Sequence, residues 1–318
     1  MVCHRCQNEA VKFGTNAQGF QRYRCKYCGR TFSDIPERPL DSLRIPFEKA
    51  AQVVHMIVEG VGVRAIERLA QVHRDTVLAV LEVAGQKCAR LMDQRVRDVP
   101  FEAVEVDEMF CFVHCKEKQN TEHRRDIGEQ YTYLGIDPQS KFIINFTVGK
   151  RDAVTTQTYI QDLKKRVKAP FQLTTDGFSA YQSEVYFTFQ NQIHFAQLIK
   201  EYACPEEYLI GQRRYSPPEC IGVKTKIRCG NPSPDRISTS FVERTNLSVR
   251  LFNRRFTRLT LGYSKKLENL KHSIALLIAH FNFCRVHSAH GRTPAMAAGL
   301  ADHVWTIDEL LKAGTVAA

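Results

Sequence analysis

The chain contains no uninterrupted apolar run approaching the roughly 20 residues that cross a bilayer, and it opens on Cys3, His4, Arg5 and Cys6 rather than on a basic stretch followed by an apolar one. A soluble, cytoplasmic protein with no membrane partner is therefore expected. Internal repeats and low-complexity segments are also missing, and 43% of the 318 residues are apolar, so disorder, collagen and coiled coil are excluded as whole-chain readings. Acid is in short supply, with 34 Asp and Glu against 45 Lys and Arg. The cysteine count of 11 is odd, which argues for thiols and metal rather than a disulfide scaffold.

The surplus of base is clustered. Val242 to Arg292 carries ten Lys and Arg against Glu243 and Glu268, and Gln212 to Arg228 carries five against Glu219. Positive charge interleaved with Phe and Tyr suits a polyanion, because neutralising phosphates releases condensed counterions. Double-stranded DNA is the expected partner.

Four of the cysteines form two Cys-x-x-Cys pairs, Cys3 with Cys6 and Cys25 with Cys28, separated by eighteen residues. Each such turn lets two sulfurs face one tetrahedral ion, so residues 1–33 are expected to be a zinc ribbon holding one structural Zn2+. Val11, Phe13, Phe20 and Tyr23 around a Gly14–Gly19 turn suggest its hairpin. Residues 34–46, with Pro36, Pro39 and Pro46, have the composition of a linker.

Apolar residues then recur with helical period at Ala50–Val58, Val63–Ala70 and Asp75 to about Met92. Three short helices with a tight turn before the last match a helix-turn-helix module over 47–95, whose third helix would offer His73, Arg74, Asp75 and Thr76 to DNA. A helical hairpin joining two domains fits the same pattern.

From residue 96 to about 300 the pattern is α/β. Ala103–Val113, Tyr131–Ile136 and Phe142–Val148 alternate like strands; Ala153–Val167, capped by Asp152, is helical; Phe171–Thr175 is a fourth strand. That succession predicts a ribonuclease H-like domain. About 185–235 reads as an irregular insert. Two helices, Phe241–Thr257 and Ser264 to about Arg285, follow it, and 301–318 reads as a tail.

Three acids stand out. Asp107 interrupts a strand that otherwise reads as buried, and a carboxylate there is costly unless paired or metal-bound. Glu105, on the same strand face, is its decoy, and Glu108 reads as decoration of a wet strand. Asp176 closes the fourth strand, where ligands gather in open α/β sheets, although Asp-Gly alone is more often a turn. Glu243 shares a helix face with Asn246, Arg250 and Arg254, and Ser240 three residues earlier offers a capping box as the plainer explanation. Together the three carboxylates supply hard oxygen ligands for two Mg2+ or Mn2+ ions and for phosphodiester displacement.

The motifs CHRC…CKYCGRTFS, VEVDEMF, TTDGFSAY, SFVERTNLSVRLFNRRFTR and FNFCRVHSAHGRTPAMAAGL together resemble bacterial insertion-sequence transposases of the DDE type, closest to the insertion-sequence-one family. The resemblance implies Asp107, Asp176 and Glu243 as catalytic metal ligands, with Arg250 as their basic companion. It also implies binding of element ends, DNA cleavage and strand transfer into a target, and at least a homodimer on paired ends. Arg254, Arg255 and Arg258 are expected to track phosphates with Arg250. Rival readings are a domesticated or inactive transposase serving as a DNA-binding regulator and a structure-specific nuclease on the same fold. Two weaker metal sets are Cys284, His287 and His290, and His194, Cys204, Cys220 and Cys229.

Overall fold

The computed structural model describes residues 1–3, 5–16, 21–33, 40–41, 43–202, 220–257 and 260–313. The chain divides into two compact units, one within Met1–Arg44 and the other Ile45–Gly314.

The first unit is a three-stranded antiparallel sheet of β1 (Ala10–Thr15), β2 (Gln21–Cys25) and β3 (Thr31–Ser33). Its apolar interior is small: Val11 and Phe13 are exposed, and among the described residues the buried side chains are Cys3, Ala10, Cys25 and Leu40. Gly29 follows the second cysteine pair at φ 69°, a left-handed conformation that glycine adopts without a Cβ clash, and this lets its N–H return to the Cys25 carbonyl at 3.1 Å.

The second unit opens with α1 (Phe47–Val58), α2 (Val63–Ala70) and α3 (Arg74–Arg95). Its sheet contains β4 (Ala103–Val113), β5 (Gly128–Ile136), β6 (Ile143–Gly149), β7 (Gln172–Thr175), β8 (His194–Tyr202) and β9 (Cys220–Cys229), in the order β6-β5-β4-β7-β8-β9. β4, β5 and β6 pair antiparallel, β7 joins β4 and β8 joins β7 in parallel, and β9 returns antiparallel to β8. The parallel neighbours require helical crossovers. These are α4 (Ala153–Arg166), capped by Asp152 as the sequence predicts, and α5 (Ala180–Phe189).

The expected α/β architecture is thus a mixed six-stranded sheet. The stretch that reads as an irregular insert holds the end of α5, both strands β8 and β9, and residues 203–219, which lie outside the described ones. Among the described residues, no helix is long and apolar enough to cross a membrane.

α6 (Ser240–Phe252) and α7 (Leu267–Phe283) are shorter than the periodicity predicts. The first stops because Asn253 takes an extended backbone and its side chain accepts from the Arg255 N–H, capping a separate 3-10 turn over Arg254–Phe256. Arg254 therefore leaves the helical face it was expected to share with Glu243. α7 crosses α3 so closely that a Cβ on Gly85 would lie 2.5 Å from the His272 Cα. After the single turn α8 (Pro294–Ala297), the segment expected as a tail contains α9 (Ile307–Lys312), whose Thr306 and Glu309 form a reciprocal capping box and whose Leu310 and Leu311 are buried.

Candidate active site

β7 stops at Thr175, level with Val106 on β4, so from Asp107 to Phe112 β4 has no strand partner on that edge among the described residues. Asp107 and Glu108 point to opposite pleat faces, yet both reach the gap beyond the end of β7, where Asp176 follows the strand. Carboxylate oxygens of Asp107, Glu108 and Asp176 all lie within 4.8 Å of one another.

Each acid is held from a different direction. On one sheet face, Asn246 of α6 donates through Nδ2 to Asp107 Oδ2 at 2.8 Å. Burial, with Asp176 and Glu243 nearby, pushes the Asp107 carboxyl up to about 6. On the other face, Glu108 accepts from the Tyr181 hydroxyl of α5 and from Arg151 Nε at 3.0 Å. Its side chain is 2% exposed, and burial, with Asp176 next, pushes its carboxyl up to about 7. Asp176 accepts from the Phe178 N–H at 2.9 Å and from Arg151 Nη2 at 3.0 Å. Arg151, in the loop after β6, thus spans two of the three acids, with its guanidinium carbon 4.2 Å from the Phe178 ring centre.

Glu243 stands at the rim. Its Oε1 accepts from Lys200 of β8 and from Thr239 Oγ1 at 2.7 Å, and its side chain is 41% exposed. It is outside the tight trio, but its charge contributes to the rise at Asp107. The capping-box explanation does not hold: Ser240 lies inside the helix, and the N-cap Thr239 makes no side-chain cap bond. The cap comes from the decoy acid, because Glu105 Oε2 accepts from the N–H groups of Phe241 at 2.8 Å and Val242 at 3.0 Å. The two acids on one face of β4 therefore divide the work, Glu105 anchoring the helix start and Asp107 facing the next turn at Asn246.

The donor set suits a hard divalent cation, since it offers three carboxylates. Sequence reasoning missed Glu108, Arg151, Lys200 and the buried Gln197, whose Nε2 donates to the carbonyls of Asp176 at 2.9 Å and Phe178 at 3.1 Å. Only Glu108 had a signal, as the second acid of an adjacent pair in a buried strand.

At the start of α3, His73, Arg74 and Asp75 are exposed and Thr76 is half-buried, after a three-residue turn from α2 in which Gln71 is left-handed. His73 Nδ1 accepts from the Asp75 N–H at 3.3 Å, and Glu67 accepts from the Arg74 N–H at 3.1 Å. Of the expected phosphate clamps, Arg254 is exposed. Arg250 is half-buried and donates to the carbonyls of Phe256 at 3.3 Å and Phe110 at 3.4 Å, tying the turn after α6 to β4. Arg255 turns inward toward Ser273 Oγ at 3.5 Å, and burial lowers its pKa to about 10, so it does not extend an open basic face. Arg258 and Cys204 lie outside the described residues. Among those described, neither Cys284 with His287 and His290 nor His194 with Cys220 and Cys229 gathers into a metal-binding group.

In the first unit, Cys3, Cys6, Cys25 and Cys28 converge as a group able to hold a metal ion. The Sγ separations of 3.7 Å for Cys3 and Cys28 and 3.5 Å for Cys6 and Cys25 are close to the about 3.8 Å edge of a tetrahedron with 2.3 Å bonds. The Asn8 backbone N–H, with help from Cys25, draws the Cys6 thiol down to about 6, toward the thiolate form that ligates metal.

No protein-family model matches the chain, and no curated protein matches it in sequence. Among solved structures, it is similar to a piggyBac transposase synaptic complex with hairpin DNA, at 9% identity and a TM-score of 0.38, over 85% of this chain and 70% of that one. It is also similar to the Mos1 strand transfer complex, at 12% identity and a TM-score of 0.21, over 74% of this chain and 76% of that one. Likenesses at those TM-scores assign neither fold nor activity.

Proposed function

We propose that the chain is a DNA transposase of the DDE type, with a ribonuclease H-like catalytic domain that cuts at the ends of its element and joins the exposed 3′-hydroxyls to target DNA. The observation that carries this reading is the meeting of Asp107 and Asp176 at the open edge of β4, with Glu243 close enough for its charge to act on Asp107. The strand order supports it too, three antiparallel strands being followed by two parallel ones reached through helices.

Asp107 and Asp176, with Glu243 and Glu108, would hold Mg2+ or Mn2+. Two such ions, when bound, supply activation of the attacking oxygen and charge stabilisation of the leaving one. The chain's own groups do the rest. Asn246 fixes the Asp107 carboxylate, Gln197 holds the backbone that presents Asp176, and Arg151 and Lys200 balance the acids until metal and phosphate arrive. Arg250 braces the turn after α6 against β4 through the Phe256 and Phe110 carbonyls. The first unit would carry one Zn2+ on its four thiolates and serve, with the start of α3, in recognising element ends. Working on paired ends implies a homo-oligomer, at least a dimer.

The test is a cleavage and joining assay with purified protein, its cognate ends and Mg2+. Joined product expected from the wild type and absent from Asp107→Asn supports the reading. Hydrolysis without joining would give the site to a nuclease, and binding without either would leave a DNA-binding regulator.

A further inference from the structure

The sheet does not end evenly. β7 pairs with β8 only as far as Gln197, whereas β8 and β9 stay paired from Gln197 opposite Lys226 out to Tyr202 opposite Cys220. Among the described residues a two-stranded ribbon therefore runs on without a further strand, and β9 is exposed except at Gly222 and Cys229, which are half-buried. The ribbon is rooted in the acid site on both pleat faces. On one, Gln197 holds the Asp176 carbonyl and Ile199 lies 3.0 Å from where a Gly177 Cβ would sit; on the other, Lys200 meets Glu243.

The charge of the two strands is one-sided, with Lys200, Lys224, Lys226 and Arg228 against Glu201 alone. Lys224 and Lys226 stand opposite Ile199 and Gln197, on the face that adjoins Asp176. Arg228 sits in a bulge and reaches the same side, donating through Nε to Gln197 Oε1 at 2.8 Å. Lys224 pairs with Glu201, but both side chains are largely open to water, where such a pair contributes little and a phosphate can displace it.

We propose that the β8–β9 ribbon is a DNA-backbone arm of this site, with Lys224 and Lys226 holding phosphates of the strand that passes Asp176. The proposal rests on the function proposed above. Alternate side chains of a strand recur about every 6.8 Å, roughly the through-space distance between neighbouring phosphates on one DNA strand. The exposed Ile221, Val223 and Ile227 would suit a second copy of the chain on the edge of β9 that has no strand partner among the described residues. Such pairing would set the same basic run against itself, and like charges across strands are destabilising.

The test uses the full chain and a DNA duplex without divalent metal, comparing wild type with Lys224→Ala/Lys226→Ala across a salt series. Loss of two phosphate contacts should flatten the slope of log affinity against log salt by about 2 and weaken binding about 30-fold near 0.15 M salt. A photo-crosslinker at position 226 of the otherwise native chain should capture DNA, which keeps the test sound should the double variant misfold. An unchanged slope with no crosslink overturns the arm and leaves the lysines as protection of a bare strand edge. A shift in sedimentation from dimer to monomer with an unchanged slope likewise overturns it, in favour of a second copy. If wild type cleaves DNA while the slope stays fixed, the arm alone fails; if the slope flattens but no cleavage occurs, the arm stands and the enzymatic reading falls.

Discussion

Lys200 rests on Glu243, so the third acid of the candidate triad is neutralised by the ribbon rather than joined to Asp107 and Asp176. An ammonium there competes with a divalent cation for the same oxygens. Lys200→Met should therefore tighten metal binding to the DNA-free protein, by about fivefold for a partly exposed pair. Calorimetric titration with Mn2+ checks this, and equal affinities in the two proteins would show that Lys200 does not restrain Glu243.

The amide variants Asp107→Asn, Asp176→Asn and Glu243→Gln keep shape but remove anionic oxygen. Each should lower cleavage and joining by about a thousandfold while leaving binding to element ends within about twofold. Glu108→Gln belongs in the same series, because its oxygens lie in the tight trio. Near-normal joining by Glu108→Gln in Mg2+ would confine the site to the triad read from the sequence.

Burial raises the Asp107 carboxyl to about 6 and that of Glu108 to about 7 in the folded chain. Unfolded carboxyls titrate near 4, so between about pH 4 and pH 7 the native state holds protons that the unfolded chain has released, and stability is lost as pH rises. In EDTA, Tm should fall by about 5 °C from pH 5 to pH 7.5 relative to an Asp107→Asn/Glu108→Gln variant. Added Mg2+ should restore most at the higher pH, since it competes with protons for the same groups. Parallel Tm curves for the two proteins in EDTA would refute the linkage.

Among its described residues the first unit buries only Cys3, Ala10, Cys25 and Leu40, too little apolar surface to hold so short a sheet together without metal. Strong chelator, or Cys25→Ser, should unfold residues 1–33 and release about one Zn2+ per chain, read by atomic absorption and by amide exchange over β1 and β2. A ribbon still protected from exchange in chelator would contradict this.

At the crossing of α3 and α7, Gly85→Ala places a methyl against the His272 backbone, which cannot yield as a side-chain tip can. A loss of about 1–3 kcal/mol is expected by denaturant titration, despite the better helix propensity of alanine. A neutral or stabilising effect would mean that the helices can separate at that point.

What the sequence disclosed follows from how local each signal is. The thiolate pairs, the extent of strand β4 and the Asp152 cap depend on neighbours a few residues apart and were legible, but the buried face of β4 was not: Met109 and Cys111 are buried where Phe110 is exposed. The convergence of Asp107 and Asp176 could be reasoned from chain order, because strands that open a sheet in that succession lie side by side. Glu108 could not, since strand alternation sends it to the opposite face and only the uneven ends of β4 and β7 bring it back. The end of α6 at Asn253 was hidden by a helical pattern of apolar residues that runs on to Phe256, which is buried from a different element. β8 and β9 were masked by proline-rich composition between them and, along β9, by a face that is never buried.

α3 is a single helix of 22 residues, about 33 Å long, and it is clamped at Gly85 without a joint along its length. A rod of that kind works as a ruler. If its first turn reads DNA and the acids beside β7 cut it, the number of base pairs between the two events is set by the protein and cannot be adjusted by a swivel. Adding one base pair between the recognised sequence and the scissile phosphate should move the cut by one position relative to the element end, rather than leave it in place.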